Sequence, residues 1–226
     1  IQQMLDHQVD GIVLASVGLG DALAARCKAA GIPVVLFNRG QKDSGLSQVT
    51  SANKLGGAKV AEFLVSGGHY RIGHVAGWQG SSTGRDRTDG FLTKLRELGQ
   101  EAVGVEDGRY DHAGAVRATE KLIARDVDAL FVANDHMAFA VMDHLRGDVG
   151  LTVPGDVSVV GYDDVPMAAF AAYNLTTVRQ PVGRMVKTTV AALINQIEDK
   201  SMQAEVTEID GPLIQRGSAR IPEGLQ

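Results

Sequence analysis

The chain has 226 residues, 44% of them hydrophobic, which is enough for one large α/β domain or for two lobes with substantial cores. Its formal net charge of -5 and its pI near 5.7 argue against a surface that grips nucleic-acid phosphates. The single cysteine, Cys27, excludes an intrachain disulfide and a cysteine cluster for zinc, which favours a reducing compartment. Because no apolar run is long enough to span a bilayer and no export signal is visible, we expect a cytoplasmic protein without a membrane partner.

Several apolar segments that are typical of strands each end in a polar residue. In open α/β sheets, ligands bind outside the carboxyl ends of the parallel strands, so polar side chains that recur there predict a shared pocket. The predicted strands and the polar residues that follow them are 9–14 with Ser16, 34–37 with Asn38, 130–133 with Asn134 and Asp135, and 157–162 with Asp163 and Asp164. The pattern predicts a cleft for a small molecule.

Helical segments separate the strands at intervals of about 20 to 30 residues, as expected of repeated βαβ units. The predicted helices are 21–30, 54–65, 89–98, 114–124, 137–145 and 182–197, and further extended segments are predicted at 72–76, 103–105, 206–209 and 213–214. The fold class is therefore α/β and mostly parallel. Residues 1–7 are typical of the end of a helix without its start, which predicts that the chain is a fragment of a longer polypeptide.

Two pairs of residues at strand ends have candidate roles in binding. Asp163 is predicted to accept hydrogen bonds from ligand hydroxyls, whereas Asp164 is predicted to cap the next helix or to be hydrogen-bonded. Asn134 offers both a donor and an acceptor to a ligand, and Asp135 is predicted to be the N-cap of the following helix.

Single residues elsewhere are less informative. Arg87, near the start of the predicted helix 89–98 and after the loop 77–84, is by itself typical of a solvated surface residue. Tyr110 and Trp78 can stack on a sugar or a base but are more often packing residues. No cofactor-binding motif, metal-binding spacing or catalytic nucleophile is found, so neither a cofactor nor an enzymatic activity is expected.

Taken in order, these segments resemble the effector-binding core of the LacI/GalR (lactose and galactose repressor) family of bacterial transcriptional regulators. The similarity covers nearly the whole chain. The segments that carry it are VDGIVL (9–14), GIPVVLFNR (31–39), NKLGGAKVAEFLVSGGHYRIGHVAG (53–77), RTDGF (87–91), ANDHMA (133–138), VPGDVSVVGYDD (153–164), LTTVRQP (175–181) and GPLIQRGS (211–218).

The resemblance implies a two-lobed periplasmic-binding-protein-like fold, with parallel, doubly wound sheets that are hinged by crossovers. The N-terminal lobe would comprise residues 1–50 and 181–206 and would be incomplete, and the C-terminal lobe would comprise 51–180 and 207–226. The ligand-binding residues that the resemblance implies are Ser16, Asn38, Arg87, Tyr110, Asn134, Asp163 and Gln180. With Arg87 in that set, Arg87→Ala is expected to abolish effector binding and to leave the ligand-free melting temperature nearly unchanged.

The resemblance also implies partners. A small molecule, a sugar by preference with a purine or nucleoside as the alternative, would bind between the lobes of a homodimer. Operator DNA would be bound through an N-terminal helix-turn-helix that is absent from this chain. Two other functions stay open at this stage: an exported sugar-binding protein of a transporter, and an α/β enzyme that uses Asp163 and Asp164 with a metal.

Overall fold

The computed structural model describes residues 9–15, 26–27 and 29–223. Two compact units divide the chain: the first comprises Ile1–Ala52 and Pro181–Ile209, and the second comprises Asn53–Gln180 and Asp210–Gln226. Ser16, the predicted helical end 1–7 and most of the predicted helix 21–30 lie outside the described residues.

Strands and helices alternate along most of the described chain. In chain order they are β1 (Ile12–Leu14), β2 (Val34–Phe37), β3 (Ser47–Ser51), α1 (Asn53–Ser66), β4 (Ile72–Ala76), α2 (Ser82–Glu97), β5 (Gly104–Asp107), α3 (His112–Ile123), β6 (Ala129–Val132), α4 (Asp135–His144), a π-helical turn (Leu145–Val149), β7 (Ser158–Asp163), a 3-10 turn (Pro166–Ala169), β8 (Thr176–Arg179), α5 (Val182–Glu198), β9 (Val206–Ile209) and β10 (Leu213–Ile214).

The first unit contains a parallel sheet with the strand order β1-β2-β3-β9. Its apolar side chains alternate between two faces, as the pleat of a strand requires. Cys27 is fully buried beside Ile12, Val34 and Leu36 on one face. On the other face, Val35 packs with Met185 of α5. The first unit is therefore covered on both sides of its sheet.

The second unit contains a sheet with the strand order β10-β8-β7-β6-β4-β5, in which only β10 is antiparallel to its neighbour. Leu130 and Val132 face a core formed with α3 and α4, whereas Phe131 faces a core formed with α1 and α2. Helices on both faces bury the parallel strands, which explains their continuous apolar sequences. The α/β class and the mostly parallel arrangement predicted from the sequence are confirmed.

Helix α2 begins seven residues earlier than the sequence predicted. Ser81 is the N-cap, and its side-chain oxygen accepts a hydrogen bond from the backbone N–H of Gly84. Two glycines and several polar residues weaken the apolar periodicity of this segment, which is why the sequence alone predicts a loop up to residue 84. Arg87 therefore lies inside the helix rather than near its start.

Close packing between α1 and α2 fixes the position of Arg87. A side chain at Gly90 would collide with the backbone of Lys54, and one at Gly57 would collide with the backbone of Arg87 itself. Two glycines thus let the helices approach closely enough to bring Arg87 beside Asn53, the first residue of α1.

Candidate functional site

The carboxyl ends of five parallel strands meet at one edge of the second unit's sheet, which we call the carboxyl edge. Asp163 is the last residue of β7, and Asn134 and Gln180 follow β6 and β8 within two residues. Trp78 follows β4, and Tyr110 follows β5. Five residues that are far apart in sequence are therefore placed along neighbouring strand ends.

Arg87 reaches this edge from helix α2 and is almost fully buried, with 3% of its surface exposed. Its Nε donates to Asn53 Oδ1 at 2.9 Å, its Nη1 to the carbonyl of Ala133 at 2.6 Å, and its Nη2 to Asp163 Oδ1 at 3.0 Å. The guanidinium also stacks on the ring of Tyr162, 3.7 Å from the centroid. Burial is the largest single influence and lowers the pKa of Arg87, but Asp163, Tyr162 and Tyr110 together outweigh it, so the pKa lies above its usual value.

Asp163 ends strand β7 with a positive φ of 125°, in a region that favours glycine. Its Oδ1 accepts hydrogen bonds from both Arg87 and the side-chain amide of Gln180. Its Oδ2 has no donor among the residues that the structure describes, and a fifth of the side chain is exposed. One oxygen of this carboxylate is thus held by the protein, and the other is available to a ligand.

Asn134 takes the capping role that the sequence predicted for Asp135. Asn134 is the N-cap of α4, because its Oδ1 accepts from the backbone N–H of Met137 at 3.0 Å. The prediction that Asp135 is the cap is wrong. Its carboxylate is fully buried and accepts from Thr177 Oγ1 at 2.6 Å and from the backbone N–H of Val165 at 2.9 Å. Both residue types are good caps, and only the direction of the chain at the helix start selects between them.

Burial raises the pKa of Asp135 to about 7, although hydrogen bonds from Thr177 and Val165 act in the opposite direction. The Asp163 and Asp164 carboxylates raise it further, which places Asp135 within electrostatic range of the carboxyl edge. Asn134 keeps its Nδ2 group without an acceptor among the described residues, so this donor can still serve a ligand.

Asp164 is held by two arginines rather than by a helix. Arg179 Nε and Arg216 Nη2 donate to its two oxygens, at 2.5 and 2.7 Å. The following 3-10 turn has Val165 at its N-terminus and no side-chain cap. The hydrogen-bonded alternative for Asp164 therefore holds and the capping alternative does not. This pairing occupies the carboxylate that a metal at Asp163 and Asp164 would need, and within the described ranges no group of three possible metal ligands is found.

Tyr110 and Trp78 present different surfaces at the carboxyl edge. The Tyr110 ring lies against Gly77, where any side chain would collide with it, and its buried hydroxyl has no partner within the described part of the chain. It also lies within electrostatic range of Arg87. Trp78 has 48% of its surface exposed. Tyr110 thus offers a hydroxyl to a ligand, whereas Trp78 offers a ring face.

In the first unit, the candidate residue is Asn38, directly after β2. Its φ of 64° is left-handed, and its buried Oδ1 has no hydrogen-bond partner among the described residues. A buried amide oxygen without a partner is unfavourable, and Asn38 is therefore a candidate acceptor for a ligand or a water. The other residue predicted for this unit, Ser16, lies outside the described residues.

Sequence reasoning missed several residues that shape the carboxyl edge: Asn53, Tyr162, Thr177 and Arg216. Asn53 begins a helix, Tyr162 lies within an apolar strand, and the other two are separated from Asp163 by secondary-structure elements. Asn53 offered one signal, since it is the first residue of the segment NKLGGAKVAEFLVSGG, but no pattern along the chain pairs it with Arg87.

Comparison with known proteins places the chain in a family. Residues 61–219 match the model of the periplasmic binding protein-like domain. The chain is 29% identical over 223 residues to the HTH-type transcriptional repressor PurR of Aliivibrio salmonicida. This alignment covers 96% of the chain and 67% of that protein. It thus spans about two thirds of the length of that relative. These relatives are transcriptional repressors rather than enzymes.

Solved structures agree with this placement. A transcriptional regulator CelR-cellobiose complex is 32% identical, with a TM-score of 0.88 over 96% of this chain and 68% of that one. A sugar-binding transcriptional regulator of the LacI family from Escherichia coli, complexed with phosphate, is 29% identical, with a TM-score of 0.83 over 98% of this chain and 81% of that one. No described helix combines the length and the apolar character that crossing a bilayer requires. The chain therefore belongs to the periplasmic binding protein-like family and is an effector-binding domain of the LacI/GalR type.

Proposed function

We propose that the effector of this domain is a sugar or a sugar derivative and that it binds at the carboxyl edge of the second unit. The observation that carries the proposal is the mixture of hydrogen-bonding groups that the protein leaves open there. Asp163 Oδ2 and Gln180 Oε1 can accept, whereas Arg87, with two of its five N–H groups uncommitted among the described residues, and Asn134 Nδ2 can donate.

This mixture matches the chemistry of a polyol. Each sugar hydroxyl donates one hydrogen bond and accepts others, so a set of acceptors and donors at neighbouring strand ends suits several hydroxyls at once. The half-exposed ring of Trp78 adds an apolar face of the kind that packs against a pyranose. In the first unit, Asn38, whose Oδ1 has no partner among the described residues, and Ser16 stay predicted ligand contacts.

The proposed role of the whole protein is regulation of transcription in the cytoplasm. An effector that prefers one arrangement of a homodimer shifts the population toward it by its differential affinity for the two states. Operator binding would come from a helix-turn-helix outside this chain, by similarity to the HTH-type repressors of which it spans about two thirds. The relatives include the repressor PurR as well as a CelR-cellobiose complex, and a purine or nucleoside stays the competing effector class.

Isothermal titration calorimetry tests the proposal with cellobiose, ribose, hypoxanthine and guanosine as probes. We expect a sugar to bind and Asp163→Asn to weaken that binding by at least tenfold, because an amide loses the charge that strengthens its hydrogen bonds to hydroxyls.

Asp126→Asn is the matched control, since this carboxylate is 94% exposed and lies away from the carboxyl edge. If only hypoxanthine or guanosine binds, the effector class is a purine and the proposal of a sugar fails. Unchanged sugar affinity in Asp163→Asn would show that Asp163 does not contribute to the binding site.

A further inference from the structure

Asn53 occupies a junction in the chain. It is the first residue of α1 and the first residue of the second unit, directly after the crossover from Ala52. Only 3% of its surface is exposed, and its Oδ1 accepts the Nε hydrogen bond of Arg87. A buried amide oxygen in this position fixes the plane of the guanidinium, because Nε carries a single hydrogen with one direction.

The Arg87 guanidinium is held from three elements at once. Asn53 belongs to α1, the Ala133 carbonyl follows β6, and Asp163 ends β7. Stacking on Tyr162 holds the remaining degree of freedom, the tilt of the plane. Loss of the Asn53 oxygen would therefore change the direction of the N–H group that reaches Asp163.

Gln180 extends the same chain of contacts to a second crossover. It is the last residue of the second unit before Pro181, its Nε2 donates to Asp163 Oδ1, and its backbone N–H donates to the Asp163 carbonyl at 3.1 Å. Arg87 and Gln180 thus share one carboxylate oxygen. Because two donors on one oxygen compete for its charge, a change at Arg87 alters the hydrogen bond of Gln180.

We propose that Asn53 is a positioning residue and that Asn53, Arg87, Asp163 and Gln180 form a relay that connects two chain crossovers, 52–53 and 180–181, through the oxygen of Asp163. A ligand hydroxyl that donates to the open Oδ2 of Asp163 draws charge from the same carboxylate and thereby alters both crossover contacts on Oδ1 together. The connection itself is independent of the effector, whereas its response to a ligand rests on the proposed function.

The third crossover supplies an internal control. Lys59, on the same helix as Asn53, donates to Asp210 Oδ1 and to the carbonyl of Gly211 at 2.8 Å, directly after Ile209. Neither contact involves Arg87, Asp163 or Gln180. Lys59→Met therefore disturbs a crossover anchor in the second unit without disturbing the relay.

Side-chain resonances in ¹⁵N NMR spectra of the ligand-free chain test the relay. We expect Asn53→Ala to shift the Arg87 Nε–Hε signal, to raise its solvent exchange severalfold, and to shift the Gln180 side-chain amide as well. Asn53→Asp keeps an acceptor oxygen and should restore both signals, whereas Lys59→Met should change neither. The Arg87 Nε–Hε signal is assigned by its loss in Arg87→Lys, and the Gln180 side-chain amide signal is assigned by its loss in Gln180→Glu.

Three outcomes would overturn the relay: a Gln180 amide that does not move in Asn53→Ala, no rescue by Asn53→Asp, or an equal shift in Lys59→Met. If Asn53→Ala does not fold, Asn53→Ser, which keeps a polar but shorter side chain, takes its place in the same comparison.

Cellobiose titration of the same variants tests the response to a ligand. We expect about a tenfold loss of affinity in Asn53→Ala and at most a threefold change in Asn53→Asp. If wild-type protein binds no sugar, the proposed effector class fails while the ligand-free spectra still decide the relay. Equal affinity in wild type and Asn53→Ala would overturn the response of the relay to ligand.

Discussion

The two units carry polar residues at the carboxyl ends of their parallel strands but support them differently. In the second unit, Asp163 is paired with a buried arginine and a glutamine, so the protein itself holds the central carboxylate, although the buried Tyr110 hydroxyl has no partner among the described residues. In the first unit, Asn38 has a left-handed backbone and a buried oxygen without a partner in the described residues. The second unit is preorganised for a ligand, whereas the first stores an unfavourable group that a ligand would satisfy.

The largest effect should come from Arg87→Ala, which removes the centre of the second unit's network. This change leaves the Asp163 carboxylate without its cation and two further acceptors without a donor. We expect the free energy of unfolding to fall by about 3 kcal/mol. Urea denaturation would measure it, with Arg85→Ala on the exposed side of the same helix as a control that should change stability by less than about 0.5 kcal/mol.

This expectation replaces the one drawn from the sequence, in which Arg87→Ala left the melting temperature nearly unchanged. A surface arginine would have behaved in that way, but this one is 3% exposed. Equal stability of Arg87→Ala and the wild type would show that the network contributes nothing to folding, and the contrast between the two units would disappear.

Asn38→Gly in the first unit is expected to raise the free energy of unfolding, whereas Arg87→Ala lowers it. Glycine adopts a φ of 64° without strain, and the change removes the unpartnered oxygen, so the ligand-free protein should gain about 1 kcal/mol of stability. The same change should weaken effector binding. Asp43→Gly, at an exposed residue with a φ of 57°, isolates the backbone contribution and should have a smaller effect. Destabilisation by Asn38→Gly would show that the Asn38 side chain has a favourable role without ligand.

The third expected effect is a pH dependence that resides in the second unit. Burial raises the pKa of Asp135 from 3.8 to about 7, so the folded protein holds this proton to a higher pH than the unfolded chain does. The contribution of Asp135 to stability is therefore full below about pH 4 and is lost as the pH rises toward 7. His74 acts in the opposite direction, because burial lowers its pKa from 6.5 to about 4.

Thermal denaturation of the wild type and Asp135→Asn between pH 4 and 8 separates these contributions. His74 is common to both proteins and therefore cancels in the comparison. The melting temperature of Asp135→Asn should rise relative to that of the wild type as the pH rises to about 7, and the difference should then level off. A difference that does not vary with pH would mean that Asp135 does not titrate in this range.

Much of the fold could be read from the sequence because its strands are short apolar runs between clear breakers. The predicted strands 34–37, 72–76 and 206–209 agree with the structure residue for residue. Strand β3, SQVTS, was missed because four of its five residues are polar. All five are buried; strand pairing satisfies their backbone groups, Gln196 donates to Ser47 Oγ, and the Gln48 side chain is hydrogen-bonded to the backbone of Gln41. A local sequence pattern cannot predict such pairing.

By itself, the sequence determined the α/β class, the polar residues at the strand ends and the similarity to LacI/GalR regulators, since each depends on residue type and order along the chain. Only the tertiary structure decided which of Asn134 and Asp135 caps the helix, that Asp164 is paired with Arg179 and Arg216, and that Arg87 is buried. These outcomes depend on partners 15 to 76 residues apart in sequence. Close packing of helices and strand ends brings such partners together, and no periodicity along a single segment records it.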